Sequence, residues 1–112
     1  MSQTISRDNL KAMLDSGTPH KLIEALPKKY FETEHLPNAI NIPHDEVEDL
    51  APNLLHDKVE PVIVYCANGE CQNSHIAAES LRKLGYTNVY EYTEGKKDWI
   101  EAGLPIITGG EN

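Results

Sequence analysis

Short apolar runs and helix-like apolar spacing alternate along the chain. The clearest run is Pro-Val-Ile-Val-Tyr at 61–65, whose β-branched and aromatic side chains predict a strand buried on both faces of a parallel sheet. Shorter strands are predicted at 21–26, 39–42 and 88–92.

Helices are predicted between these strands. Ser6 can cap the first helix, and Gly17 can end it because glycine readily adopts the left-handed conformation. Further helices are predicted at 28–34, 45–55, 74–84 and 94–102, the last two followed by Gly85 and Gly103. Pro52 is expected to break or kink the third of these helices, because it lacks the N–H that a helix interior uses.

This alternation of strands and helices predicts the fold class. Because crossovers between parallel strands are right-handed, the expected α/β fold is an open parallel sheet of about four or five strands, flanked by helices on both faces. The chain has 112 residues, so we expect a single domain over residues 1–112. No apolar run approaches the roughly 20 residues that span a bilayer, and no signal-peptide pattern opens the chain, so a cytoplasmic location is expected.

Charge narrows the range of partners. The formal net charge of -8 gives a negative field that repels nucleic acid and anionic membranes, and no Lys/Arg cluster opposes it. Neither nucleic acid nor membrane is therefore expected as a partner.

The two cysteines, Cys66 and Cys71, are too few for a disulfide scaffold, so their reactivity becomes the question. Cys66 follows the strongest predicted strand and precedes a helix, which places it at the sheet edge where α/β proteins bind ligands. The helix dipole and unpaired N–H groups there predict a lowered thiol pKa and a thiolate. Gly69 is expected to let the loop curl so that its N–H groups point inward and bind an anion.

Several segments, in this order along the chain, resemble the rhodanese family. They are His-Leu-Pro-Asn-Ala-Ile-Asn-Ile-Pro at 35–43, Ile-Val-Tyr-Cys at 63–66, Ala-Ala-Glu-Ser-Leu at 77–81, Val-Tyr-Glu-Tyr-Thr-Glu-Gly-Lys-Lys-Asp-Trp at 89–99, and Ala-Gly-Leu-Pro at 102–105. The first is similar to the family's His-Ile-Pro-Gly-Ala-Ile-Asn-Ile-Pro. The match covers nearly the whole chain, and several separate motifs in the right order make the resemblance more specific than one loop cysteine.

The resemblance implies a rhodanese-like domain and a sulfurtransferase. In that activity a catalytic Cys66 takes sulfane sulfur from thiosulfate or a persulfide, holds it as a persulfide, and passes it to a thiol or cyanide acceptor. The acceptor can be a thiol of a partner protein, and no metal or organic cofactor is expected. The implied substrate-binding loop consists of Ala67, Asn68, Gly69, Glu70, Cys71 and Gln72.

The loop departs from the family pattern in charge and in length. Many members have an Arg near its end, whereas this loop contains Glu70 and no Arg, and its spacing to the Ala-Ala pair is about two residues longer. The family's Asp-Val-Arg is Glu-Ala-Leu at 24–26, which removes a second cation. Thiosulfate is therefore expected to be a poor donor, and phosphoryl transfer is disfavoured. Lys96 and Lys97 can compensate in part if their helix begins beside the loop.

Two interpretations of Cys71 remain open. It is either a resolving thiol that forms a disulfide with Cys66, or a residue that only packs under the loop. Cys66, Cys71 and His75 form only a weak zinc pattern, and no metal site is expected. The alternative function is a non-catalytic binding or thiol redox-sensing module with the same fold.

Overall fold

The computed structural model describes residues 3–109. Within them the strands are β1 (Gln3–Thr4), β2 (Lys21–Glu24), β3 (Ala39–Asn41), β4 (Val62–Tyr65) and β5 (Val89–Tyr92). The helices of the same region are α1 (Arg7–Ser16), α2 (Lys28–Thr33), α3 (Val47–Leu54), α4 (Asn73–Lys83) and α5 (Gly95–Glu101). No helix in this described part is both long and apolar enough to cross a membrane.

The strands form one parallel sheet in the order β1-β5-β4-β2-β3. The predicted open parallel sheet is thus confirmed, with the strongest predicted strand, β4, at its centre. The register aligns Glu24 with Tyr65 and Tyr65 with Tyr92, so β2, β4 and β5 end at one edge.

Helices cover both faces of the sheet, as predicted. In β4, Val62 and Val64 point to one face, where they pack with α3 and α4, while Ile63 and Tyr65 point to the other. That second face is covered by residues of α1, α2 and α5, including the fully buried Trp99. Because both faces are covered, β4 is apolar at every position rather than alternating.

The first helix begins and ends as its sequence predicts. The Ser6 hydroxyl accepts a hydrogen bond from the Asn9 N–H at 3.1 Å, and Gly17 follows the helix with φ at 73°.

The expected break at Pro52 is wrong. Helix α3 continues through Pro52 and ends two residues later, at Leu54. Pro52 and Glu48 are both exposed, so water can solvate the carbonyl that the proline leaves without a donor.

The two-residue strand β1 had no sequence signal, because Gln3 and Thr4 carry no apolar pattern. It lies at the sheet edge beside β5, and the next residue, Ile5, donates its N–H to the Glu91 carbonyl at 3.0 Å. Pairing with an existing strand therefore determines this element more than local propensity does.

Candidate active site

Cys66 lies where the sequence places it, directly after β4 and at the carboxyl edge of the sheet. The loop of residues 66–72 leads from that strand into α4, which begins at Asn73. All the predicted loop residues are therefore contiguous at this edge, where parallel α/β sheets bind their ligands.

The sulfur of Cys66 lies against the first turn of α4. Its Sγ is 3.4 Å from the Cys71 carbonyl oxygen and 3.5 Å from the Ser74 hydroxyl oxygen. The backbone N–H of Ser74 also hydrogen-bonds to the sulfur. The protonated thiol can donate its one hydrogen to the Cys71 carbonyl, and an anionic sulfur can accept from both Ser74 donors.

The expected thiolate is a wrong prediction for this structure. Cys66 is only 1% exposed, and this burial is the main cause that raises the pKa of its thiol to about 11. Contact with the Cys71 side chain raises the pKa further, while the two Ser74 hydrogen bonds lower it. Desolvation therefore outweighs the helix N-terminus, and the resting group at neutral pH is a thiol.

The expected nest of inward N–H groups is formed only in part. The Asn68 side chain accepts from the Glu70 N–H at 2.9 Å, and its carbonyl accepts from the Cys71 N–H at 3.2 Å. These two donors are thus used inside the loop. Gly69 is not among the glycines with positive φ, and a Cβ added there would meet only the Thr93 carbonyl at 3.9 Å. The loop conformation does not depend on glycine at this position.

The glycine that the loop does require is Gly95, at the start of α5. Its φ is 77°, and a Cβ there would lie 2.7 Å from the Asn68 nitrogen and 2.9 Å from the Ala67 carbonyl carbon. Two backbone hydrogen bonds accompany this approach, both 2.8 Å long: Lys96 N–H to the Cys66 carbonyl and Lys97 N–H to the Ala67 carbonyl. Helix α5 therefore packs directly on the backbone of the cysteine loop.

Helix α5 begins beside the loop, but Lys96 does not supply the positive charge that would compensate for the loop's missing Arg. Its ammonium donates to the Glu24 carboxylate at 3.1 Å and to the carbonyls of Tyr30 and Glu34 at 3.1 and 2.7 Å. Glu24 is fully buried and also accepts from the Tyr65 hydroxyl at 2.8 Å. Lys96 is therefore committed to a buried network on the far side of α5. Lys97 is exposed.

The rim outside the loop is acidic. A cleft of about 300 Å³ beside Asn68 and Gly69 is lined by Glu70, Glu94, Asp98 and Glu101, with Lys97 as its one basic residue. Asp98 is partly neutralised because it accepts from Arg7 at 3.0 Å. The remaining carboxylates oppose the approach of an anion to the loop.

The structure does not form the weak zinc pattern of Cys66, Cys71 and His75. The ring of His75 is half exposed and pairs with the buried Glu91 carboxylate at 3.4 Å. Cys71 is partly buried, and both cysteines are free thiols. Among residues 3–109, no group of three or more His, Cys, Asp or Glu side chains could hold a metal ion.

Three contributors to the site were missed from the sequence: Ser74, Gly95 and the Glu24–Lys96 pair. Ser74 had a usable signal, since a hydroxyl in the first turn of a helix after a reactive cysteine can reach the sulfur. Gly95 and Lys96 stand in a run that indicated a helix start and a compensating cation at Lys96, but not a buried ion pair or a close approach of Gly95 to the loop. Their contacts with the loop and with Glu24 depend on the tertiary fold.

Comparison with known proteins identifies a family and several relatives. A family model described as a rhodanese-like domain matches residues 6–102. Thiosulfate sulfurtransferase PspE of Escherichia coli (strain K12) is 39% identical over 90 residues, covering 80% of each chain. Adenylyltransferase and sulfurtransferase MOCS3 of Oryza sativa subsp. japonica is 29% identical over 109 residues. Its match covers 87% of this chain but only 24% of that much longer protein.

A solved structure agrees on the fold. The BH2092 protein from Bacillus halodurans superposes with a TM-score of 0.88 and 22% sequence identity, over 97% of this chain and 79% of that one. Because the model of the rhodanese-like domain matches residues 6–102, which is most of the chain, the chain belongs to the rhodanese-like domain family.

Proposed function

We propose that this protein is a sulfurtransferase that moves sulfane sulfur to a thiol or cyanide acceptor through a persulfide on Cys66. The observation that carries the proposal is the position of the Cys66 sulfur, within reach of the Ser74 N–H and hydroxyl at the start of α4. Donors converging on one sulfur suit a covalent intermediate whose outer sulfur is anionic.

The reaction has two displacement steps. The Cys66 thiol first loses its proton to solvent, and the thiolate attacks the sulfane sulfur of the donor. A new S–S bond forms at Cys66 while the donor's bond to that sulfur breaks, so the donor leaves as an anion. An acceptor thiolate or cyanide then attacks the outer sulfur and regenerates the Cys66 thiolate. Neither step needs a metal or an organic cofactor.

The donor we favour is a neutral molecule or the persulfide of a partner protein. Thiosulfate is a dianion, and the carboxylates of Glu70, Glu94 and Glu101 line the cleft beside the loop. Backbone donors of residues 67–69 and 72 would then hold the transferred sulfur, together with Ser74. The cytosol, where thiols stay reduced, suits this chemistry.

Cys71 keeps two possible roles in this scheme. As a resolving thiol it would attack the inner sulfur of the Cys66 persulfide, forming a Cys66–Cys71 disulfide and releasing hydrosulfide; two acceptor thiols would then reduce that disulfide and leave as a disulfide of their own. As a packing residue it would only contact the Cys66 side chain, a contact that already raises the thiol pKa. The two roles give different masses after sulfur loading: a disulfide lacks two hydrogens relative to the reduced chain, and a stable persulfide carries one extra sulfur.

The test is sulfur-transfer kinetics of Cys66→Ala and Cys71→Ala against the unaltered chain. We expect Cys66→Ala to lose all transfer and the unaltered chain to give the parallel double-reciprocal lines of a ping-pong reaction. A resolving role predicts reduced turnover in Cys71→Ala, and a packing role predicts nearly unchanged turnover. Full activity of Cys66→Ala would contradict the proposal.

A second candidate is a non-catalytic binding module with the same fold, and the burial of Cys66 favours it. A thiol with a pKa of about 11 is mostly protonated at neutral pH and therefore a slow nucleophile. This candidate predicts no sulfur transfer from any donor and an intact mass unchanged by peroxide treatment, whereas a loss of two hydrogens would indicate the redox-sensing alternative.

A further inference from the structure

We infer that the start of α5 positions the Cys66 loop for reaction, with Gly95 and Lys96 as positioning residues anchored by the buried carboxylate of Glu24. The inference rests on the proposed function because it concerns the same thiol. It adds a dependence of Cys66 chemistry on groups that lie behind the loop and do not touch the sulfur.

The first support is the absence of a side chain at Gly95. A Cβ at this position would come within 2.7 Å of the Asn68 nitrogen and 2.8 Å of the Asn68 Cα. Backbone atoms cannot move aside as a flexible side chain can, so a Cβ would push the loop away from α5. Glycine therefore sets how closely the loop and the helix approach each other.

The second support is the direction of two loop carbonyls. The Cys66 and Ala67 carbonyls accept from the Lys96 and Lys97 N–H groups, each at 2.8 Å. Their negative ends are thus turned toward α5, while the sulfur faces Ser74 on α4. A carbonyl oxygen turned toward a thiolate or persulfide would destabilise the anion, so this arrangement favours the reacting state.

The third support is the anchor that holds the first turn of α5. The Lys96 ammonium is bound by the Glu24 carboxylate and by the carbonyls of Tyr30 and Glu34, and its side chain is 8% exposed. These partners come from the end of β2 and from α2 and its carboxyl end. They tie the first turn of α5 to the sheet and to a second helix.

The Glu24 carboxylate also contacts the residue directly before Cys66. Tyr65, the residue before Cys66, donates its hydroxyl to Glu24 at 2.8 Å and accepts from the Leu36 N–H at 3.1 Å. Cys66 is therefore held on both sides by groups bonded to Glu24: through the Tyr65 side chain, and through the Lys96 N–H on its own carbonyl. A change in the Glu24–Lys96 pair would reach the cysteine by both paths.

The test compares Gly95→Ala with Gly103→Ala. The two glycines have nearly the same left-handed φ, 77° and 75°, but an added Cβ meets the loop at Gly95 and meets nothing within 4 Å at Gly103. Both variants carry the same backbone strain, and only Gly95→Ala displaces the loop. The comparison thus separates loop position from general loss of stability.

Two readouts are measured on the full chain. The first is the pH profile of Cys66 alkylation by iodoacetamide, with Cys71→Ser added to each chain so that one thiol reacts. Loss of the two carbonyl contacts would raise the thiol pKa and exposure of the sulfur would lower it. Because burial is the largest cause of the raised pKa, we expect exposure to dominate and Gly95→Ala to move the profile down by about one pH unit. The second is sulfur-transfer turnover with Cys71 in place, where we expect kcat to fall about tenfold and the donor KM to change less.

Gly103→Ala is expected to keep both readouts within about twofold of the unaltered chain. If Gly95→Ala does not fold, the inference is tested with the double variant Glu24→Gln and Lys96→Met. This variant removes both buried charges together, so neither is left without its partner. We expect it to shift the alkylation profile and lower kcat in the same directions as Gly95→Ala.

An alkylation profile unchanged from the unaltered chain, in Gly95→Ala or in the double variant, would overturn the inference. The alkylation readout needs no sulfur donor. If the unaltered chain takes up no sulfur at all, the proposed function fails, while the positioning of Cys66 by α5 is still decided by the alkylation profiles.

Discussion

Two helices begin beside the Cys66 loop, and they contact it in different ways. Helix α4 offers the N–H and hydroxyl of Ser74 to the sulfur, whereas α5 offers the N–H groups of Lys96 and Lys97 to the backbone carbonyls behind it. One helix start thus favours a charge on the sulfur, and the other fixes the backbone that carries the sulfur. A helix start near a reactive cysteine therefore need not act on the thiol itself.

The two contacts also differ in how they are supported. Ser74 needs only its position in the first turn of α4. The first turn of α5 depends on a buried ion pair between Lys96 and Glu24, residues 72 positions apart in the sequence. Changes behind α5 should therefore affect stability most, and changes at α4 should affect the thiol pKa with little loss of stability.

The largest expected effect is on stability. Lys96→Met leaves the Glu24 carboxylate buried without its cation, which should lower the free energy of unfolding by about 3–5 kcal/mol in urea denaturation. Lys21→Met is the matched control, because Lys21 pairs with Glu60 at 3.8 Å near the surface and should cost less than about 1 kcal/mol. Equal losses in both variants would contradict this account of α5.

The loss in Lys96→Met should also depend on pH. Burial raises the pKa of Glu24, and Lys96 opposes that rise. Without Lys96 the carboxyl takes up a proton more readily, so the cost of burying it as an anion falls as the pH falls. The stability deficit should be smaller near pH 5 than near pH 8.

The next effect is the pH dependence of the thiol in the unaltered site. With Cys71→Ser to leave one thiol, Cys66 alkylation should rise about tenfold per pH unit above pH 7, in proportion to the thiolate fraction. Half of the maximal rate should fall somewhat below the thiol pKa of about 11 in the unaltered site, because Cys71→Ser removes a side chain that raises that pKa. A plateau of the alkylation rate below pH 8 would contradict the raised thiol pKa.

A smaller effect is expected at the start of α4. Ser74 hydrogen bonds lower the Cys66 pKa, so Ser74→Ala should raise it and slow alkylation at pH 8 about threefold. Ser80→Ala, on the same helix, serves as the control and should leave the rate unchanged. A faster reaction in Ser74→Ala would mean that the hydroxyl restrains the thiol rather than favouring the thiolate.

The smallest effect is expected at the loop rim. Glu70 is exposed, so Glu70→Gln should lower the KM for thiosulfate only about twofold, and added salt should remove the difference. The KM for a neutral sulfane-sulfur donor should stay the same. Glu48→Gln on α3 is the control, and an equal change there would assign the effect to net charge alone.

The sequence predicted the parts of this site that depend on local pattern. Strand β4, the helix after it and the position of Cys66 between them could be predicted, because each depends on residues close together in the chain. The burial of the thiol could not be predicted from the sequence, because it depends on how α4 and α5 pack against the loop. Nothing in the sequence predicted that Gly95 contacts Asn68 or that Lys96 pairs with Glu24.

The measurement that tests the central claim most directly is the intact mass of the reduced chain after incubation with a sulfur donor. Thiosulfate and a neutral sulfane-sulfur donor are compared, each with the unaltered chain and with Cys66→Ala. A sulfurtransferase predicts a gain of one sulfur, about 32 mass units, in the unaltered chain alone and more from the neutral donor. No sulfur gain from either donor, or an equal gain in Cys66→Ala, would contradict a persulfide on Cys66.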